Sequence, residues 1–209
     1  AIAGVSYGGL VAFRYAATRT ERITTLVLAN SAGIQFGQRA SAASTASAPS
    51  TPRVPGAPSA PAGAASAPTY VITTDPVVRY SDAESFLRFL LNDAPVITPA
   101  LIERKLAFTN TAGRLEESVA SVRFYERGTP ERVLAHVRAP ALVLWGGNSR
   151  GLSAETAQAF VDAMKNARST QKIVYAGGGH LLHIERPEET VKDVKAFLDR
   201  QLRGERRAK

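Results

Sequence analysis

The sequence predicts an α/β fold: a parallel sheet of about four strands, helices on both faces, and a helical insertion between the second and third strands. Three observations predict it. Short apolar, β-rich runs at residues 1–5, 23–28, 141–145 and 171–175 alternate with amphipathic stretches. Two of these runs, ITTLVL and ALVLW, are continuous rather than alternating, as in strands covered on both faces. Finally, Gly4-Val5-Ser6-Tyr7-Gly8 joins the first run directly to a helical pattern.

Composition narrows the class. The 209 residues are enough for one sizeable core, and 44% hydrophobic with 21% charged residues is ordinary for a globular chain. No apolar run approaches the roughly 20 residues of a membrane helix. Absence of cysteine excludes disulfides, thiolate metal sites and a cysteine nucleophile. The net charge of +8 raises nucleic-acid binding, but the basic residues are spread, and the tail cluster of Arg200, Arg203, Arg206, Arg207 and Lys209 has no interleaved aromatics. A solvated, frayed end fits that tail better, so no nucleic acid is expected. Nothing in the chain specifies an oligomeric state or a targeting signal, and a cytoplasmic location is the default.

The elements follow in order. Residues 1–5 read as a buried strand and residues 8 to about 18 as a helix. The tight turn between them forces its central residue, Ser6, into a strained conformation with the side chain projecting from the sheet edge. Gly4 and Gly8 are expected to be small because side chains there would collide across the bend. Chance occurrence of G-x-S-x-G in a Gly/Ser-rich loop is the competing explanation. After the strand at 23–28, Asn30-Ser31-Ala32-Gly33 ends the unit.

Residues 38–68 hold one large aliphatic residue, Val54, among Ala, Ser and Pro, and cannot bury enough apolar surface to offset ordering entropy. A disordered insertion is expected there. Pro49, Pro52, Pro55, Pro58 and Pro61 recur every third residue, so a polyproline ligand for an SH3-like partner is the alternative to a passive insertion.

Residues 75–137 turn helical. Ser81-Asp82-Ala83-Glu84 reads as a helix start, with Phe86, Leu87, Phe89, Leu90 and Leu91 on its apolar face. Pro99 opens a helix at 100–108, and further helices are expected at 114–127 and 130–137. Four short helices between strands suggest a cap. Strand 141–145, helix 154–165, strand 171–175 and helix 187–202 complete the chain. The expected organisation is therefore 1–37 core, 38–68 insertion, 69–138 cap, 139–203 core and 204–209 basic tail.

A serine hydroxyl needs a positioned base. Of three histidines, His136 lies before the 141–145 strand, while His180 and His183 follow the last strand in Gly177-Gly178-Gly179-His180-Leu181-Leu182-His183. Three glycines would let that loop swing His180 over the C-terminal rim of the sheet, where Ser6 also stands and where ligands bind in open α/β sheets. The H-x-x-H pair could instead ligate metal, but it has no third ligand, so no metal is expected and His183 is read as structural, facing the pocket wall.

Three segments carry a resemblance. GVSYGGLVAFRYAATRTERITTLVLANSAG is similar to the nucleophile elbow, helix and sixth strand of α/β-hydrolase fold enzymes. ALVLWGGNSRGLS resembles the strand and loop bearing their catalytic acid, and GGGHLLHIERPEETVKDVKAFL their histidine loop and last helix. That family places its helical cap between the sixth and seventh strands. The resemblance implies hydrolysis of an ester, amide or C–C bond, with Ser6 as nucleophile, His180 as base and then acid, and the Tyr7 backbone N–H as an oxyanion donor. It requires no cofactor, and neither a dinucleotide fingerprint nor a P-loop is present.

Two departures stand out. The acid position four residues after Trp145 holds Ser149, beside the non-acidic Gly147 and Asn148, and the alternative position at Ala29-Asn30 also lacks a carboxylate. Glu155 and Glu185 are acids that no spacing supports. The chain also begins inside a strand without the earlier strands and second oxyanion donor of the family, so it reads as the C-terminal portion of a longer protein, weakly stable and nearly inactive alone. The competing functions are a degenerate, non-catalytic ligand-binding relative and an interaction protein using residues 38–68. For an enzyme, Phe86, Phe89, Phe108, Phe124 and Tyr125 suggest a small-molecule substrate with an apolar acyl or aromatic group, although at least half of these rings are expected to pack the cap's own core.

Overall fold

The computed structural model describes residues 1–34, 78–92, 94–114 and 129–207. Four parallel strands pair in the order β1 (Ile2–Val5), β2 (Leu26–Ala29), β3 (Ala141–Gly146) and β4 (Thr170–Tyr175). Between them run α1 (Tyr7–Thr18), α2 (Tyr80–Leu90), α3 (Pro99–Thr109), α4 (Pro130–Leu134) and α5 (Ala154–Ala163). After β4 come a single turn, α6 (Leu182–Glu185), and the long α7 (Pro187–Arg207). The insertion at 38–68, the helix at 114–127 beyond its first residue, and the rings Phe124 and Tyr125 lie outside the described residues.

Strands β2 and β3 are buried along their whole length, and alternate residues feed two cores. On one face Leu26, Leu28, Val143 and Trp145 pack with Leu10 and Phe13 of α1 and Phe160 of α5. The Phe160 ring meets Trp145 at 5.6 Å and stands edge-on to Phe13 at 6.0 Å between centroids. On the other face Val27, Ala29, Leu142 and Leu144 pack with Leu182 and with Phe197 of α7. This two-sided burial is why those runs read as continuous apolar stretches.

β1 and β4 are the outer strands. Among the described residues β1 has β2 as its one neighbour and is half-buried. β2 is shorter than the expected 23–28. Pairing starts at Leu26 because Ile2 is its first partner on β1, and Ile23 instead closes a 3-10 turn over Thr20–Arg22 with its side chain in the core.

The cap helices differ in detail from the sequence pattern. α2 starts one residue before Ser81, because the Asp82 carboxylate accepts the Arg79 N–H at 3.2 Å and makes Arg79 the capping residue. α3 does open on Pro99, with the Thr98 hydroxyl accepting the Leu101 N–H at 3.3 Å. The cap's small core is aliphatic: Ala83, Leu87, Leu91 and Ile102 are buried, with Leu181 and Ile184 of the histidine loop packed against them. Phe86, Phe89 and Phe108 are not among its buried residues. Instead Lys105 Nζ lies 4.6 Å above Phe86, and the Arg114 guanidinium 4.1 Å above Phe108, whose ring is 57% exposed. Among the described rings, then, the expectation of an aromatic cap core fails.

The last helix runs to Arg207, five residues beyond the expected Leu202. Among the described residues no helix is long and apolar enough to cross a membrane.

Candidate active site

Ser6 follows the last residue of β1 and precedes the first residue of α1. Its backbone sits at φ 52°, ψ −122°, one of two non-glycine residues with positive φ among those described. Such a conformation costs roughly 1–3 kcal/mol and persists only when neighbours over-determine it. Here the Ser6 N–H donates to Ala29 O at 3.0 Å, while the Ser6 carbonyl accepts from Gly9 N at 2.9 Å, Leu10 N at 3.3 Å and Ala32 N at 2.9 Å. The hydroxyl makes no capping bond to α1, so it is not consumed by the helix it precedes.

The glycine requirement is half as expected. A Cβ on Gly4 would overlap the Gly8 carbonyl, so the bend cannot tolerate a side chain there. A Cβ on Gly8 would meet nothing within 4 Å. The second tight position is Gly9, where a Cβ would overlap the buried Ser31. The bend is closed by contact of helix backbone with Gly4, and α1 is seated by Gly9 on the 31–32 turn.

Tyr7 is the first residue of α1, which puts its N–H in the first turn, at the positive end of the helix dipole and directly beside Ser6.

His180 is reached through Gly177, whose φ of +74° makes the turn after β4. The loop that follows is fastened atom by atom. Gly179 N–H donates to Glu185 Oε2 at 2.8 Å, and Leu181 N–H to Glu185 Oε1 at 3.2 Å. The His180 N–H donates to Leu90 O, at the end of α2, at 2.8 Å. The Asn30 carboxamide takes the opposite side: its Nδ2 donates to His180 O at 2.9 Å and Gly179 O at 3.2 Å, while its Oδ1 accepts the Gly146 N–H at 3.0 Å. Asn30 is 0% exposed and also has positive φ, 39°, which its short amide side chain tolerates. Ser6 N–H bonds Ala29, and the next residue, Asn30, holds His180, so nucleophile and base candidates share one rim of the sheet through one dipeptide.

The imidazole is 6% exposed, and its Nδ1 lies 3.2 Å from Ser149 Oγ, itself 8% exposed. Burial holds the His180 pKa below its ordinary value of 6.5. A hydroxyl can donate or accept, so Ser149 orients the ring without dictating its tautomer, and it offers an imidazolium no negative charge.

The other sequence candidates fall elsewhere. Asn148 is exposed, its N–H donating to Gly178 O at 2.9 Å. Glu185 is engaged with backbone N–H groups, and Glu155 is exposed on the first turn of α5, where the Ser153 hydroxyl lowers its pKa. His136 is exposed beyond α4, on the approach to the opposite end of β3. His183 is exposed on α6, although partial burial of its ring holds its pKa below the ordinary value. Among the described residues no three His, Cys, Asp or Glu side chains cluster as a metal site would need. The sequence reading missed the clamps Asn30 and Glu185. Glu185 had a faint signal, five residues after His180 and two before Pro187; Asn30 had only its place at the strand end.

Comparison with known proteins agrees with this architecture. The family model for the alpha/beta hydrolase family matches residues 1–194. Among solved structures, a serine hydrolase involved in carbazole degradation superposes with a TM-score of 0.67 at 21% identity, covering 95% of this chain and 62% of that one. A protein from Acinetobacter baumannii AYE gives a TM-score of 0.71 at 20% identity over 97% of this chain and 61% of that one. The 2-hydroxy-6-oxo-6-phenylhexa-2,4-dienoate hydrolase from Rhodococcus sp. strain RHA1 gives 0.60 at 17% identity over 97% and 63%. The chain thus spans about three-fifths of the length of these structures. The strained serine between β1 and α1, the histidine loop after β4 and the match over 194 residues place this chain in the alpha/beta hydrolase family.

Proposed function

We propose that the protein hydrolyses an ester, amide or C–C bond through Ser6 and His180. Ser6 Oγ attacks the substrate carbonyl carbon as its proton passes to the imidazole nitrogen not facing Ser149. The negative charge that develops on the carbonyl oxygen is met by the Tyr7 N–H at the start of α1. Collapse of the tetrahedral intermediate expels the leaving group, which takes the proton from His180, and water then releases the acyl group by the same steps in reverse roles. The observation that carries this reading is Ser6 in a strained strand-to-helix bend on the rim that also holds His180.

The proposed activity is weak. Ser149 stands where an acid would stabilise the imidazolium, and loss of that function in a related triad lowers turnover about 10⁴-fold. The substrate is a small molecule with an apolar acyl or aromatic group. Half-buried Phe86 and Phe89 on α2 lie outside the cap's core and support this, as do fold relatives named for carbazole degradation and for a phenyl-bearing dienoate. Labelling by a fluorophosphonate probe tests the reading: the parent should label and Ser6→Ala should not, and equal labelling removes Ser6 from the mechanism.

The missing carboxylate favours a second reading, a family member that binds a ligand without turning it over. If Ser149→Asp leaves hydrolysis at zero while the ligand still binds, that reading stands.

A further inference from the structure

We propose that Asn92, just beyond the end of α2, is the positioning residue through which the cap sets the alignment of His180; this rests on the reading of His180 as the base. Asn92 touches both loops of the site. Its backbone N–H donates to Glu185 Oε2 at 3.2 Å, the same oxygen that accepts Gly179 N–H. Its Nδ2 donates to Asn148 O at 3.1 Å, one residue from Ser149, with Gly177 O at 3.5 Å.

The surroundings make this a latch rather than an incidental contact. The Leu90 carbonyl accepts the His180 N–H itself. Arg150 Nη1 donates to Arg88 O at 3.4 Å, so the Ser149 loop is tied to α2 from its other side as well. Leu181 and Ile184 complete the cap's aliphatic core. The histidine is therefore held from the sheet by Asn30 and from the cap by residues 90–92. A substrate that shifts α2 must move the ring, and seating the cap aligns it. Asn92 is half-buried, whereas Asn30 is fully enclosed, so changing Asn92 can loosen the loop without unfolding the sheet.

The test compares the parent with Asn92→Ala and Asn92→Asp by amide hydrogen exchange and by NMR titration of the His180 ring. Asn92→Ala should speed exchange at Gly179, His180 and Leu181 about tenfold while β3 amides keep their rates, and should move the His180 midpoint toward its ordinary value. Asn92→Asp should do more, since a carboxylate there faces the carbonyl oxygens of Asn148 and Gly177; a residue that merely fills space would make Ala the worse of the two. Unchanged exchange and midpoint in both variants, equal acceleration in β3, or Ala worse than Asp would each overturn the proposal. Fluorophosphonate labelling is run in parallel: a parent that does not label refutes the Ser6 reading, while exchange and titration still judge Asn92.

Discussion

Ser149 Oγ lies 3.2 Å from His180 Nδ1, with both side chains almost fully enclosed. The serine supplies the geometry of an orienting partner and none of its charge. Desolvation then acts on the imidazole without opposition, which is why its pKa falls. The ring is thus held toward its neutral form, and its protonated form gains no charge support from Ser149.

Replacing Ser149 with Asp adds that support. Hydrolysis of an activated ester should rise by about two to four orders of magnitude, and the His180 titration midpoint should move up rather than down, because an adjacent carboxylate favours imidazolium. Paired kcat/KM and NMR titration measurements check both; a rise in rate without a rise in midpoint would mean the added group acts elsewhere.

On the proposed mechanism, in which the neutral ring takes the serine proton, activity of the parent should increase with pH through a midpoint below 6.5 and stay level through neutrality. Stability follows the same sign. Between the folded and unfolded pKa values the unfolded chain binds the extra proton, so His180's contribution is fully present above 6.5 and is lost as pH falls toward the folded value. Thermal melts of the parent and His180→Gln across pH 5 to 8, roughly the window in which histidine titrates, should converge at the acid end.

The bend at Ser6 makes opposite demands on its two flanking glycines. Gly4→Ala should lower stability by more than about 2 kcal/mol and abolish labelling, because its methyl overlaps the Gly8 carbonyl. Gly8→Ala enters open space at ordinary φ in a helix and should be neutral or stabilising by up to about 1 kcal/mol. Urea unfolding of the two variants decides; similar losses would show that the bend needs both glycines small.

Asn30 satisfies three buried backbone groups with one carboxamide. Asn30→Ala leaves Gly146 N–H and the carbonyls of Gly179 and His180 unmet, at about 1–3 kcal/mol each, so its loss should exceed roughly 3 kcal/mol. Asn30→Asp keeps the acceptor for Gly146 but turns oxygen toward two carbonyls, and should be no better. Equilibrium denaturation measures this, and a loss below about 1 kcal/mol in both would mean water replaces the clamp.

Features carried by short-range pattern were legible in the chain. The parallel strands follow from continuous β-rich runs, since a strand buried on both faces has no polar side to alternate with. The bend at Ser6 follows from Gly4 two residues ahead of it, and α3 from Pro99 at its first turn. The position of His180 in a glycine-led loop after the last strand was equally local. By itself, then, the sequence determined the sheet, the helices on its faces, and one candidate nucleophile and one candidate base at the ends of strands.

Tertiary structure alone decided how those candidates are held. Asn30 and His180 are 150 residues apart, and Asn92 and Glu185 are 93 apart, so no periodicity or spacing reveals that they meet. The half-burial of β1, the role of Gly9 over Gly8 and the aliphatic cap core likewise depend on which neighbour each surface finds. A side chain's pattern reports the solvent it avoids, whereas a hydrogen bond between distant segments exists only once the fold has brought donor and acceptor within about 3 Å.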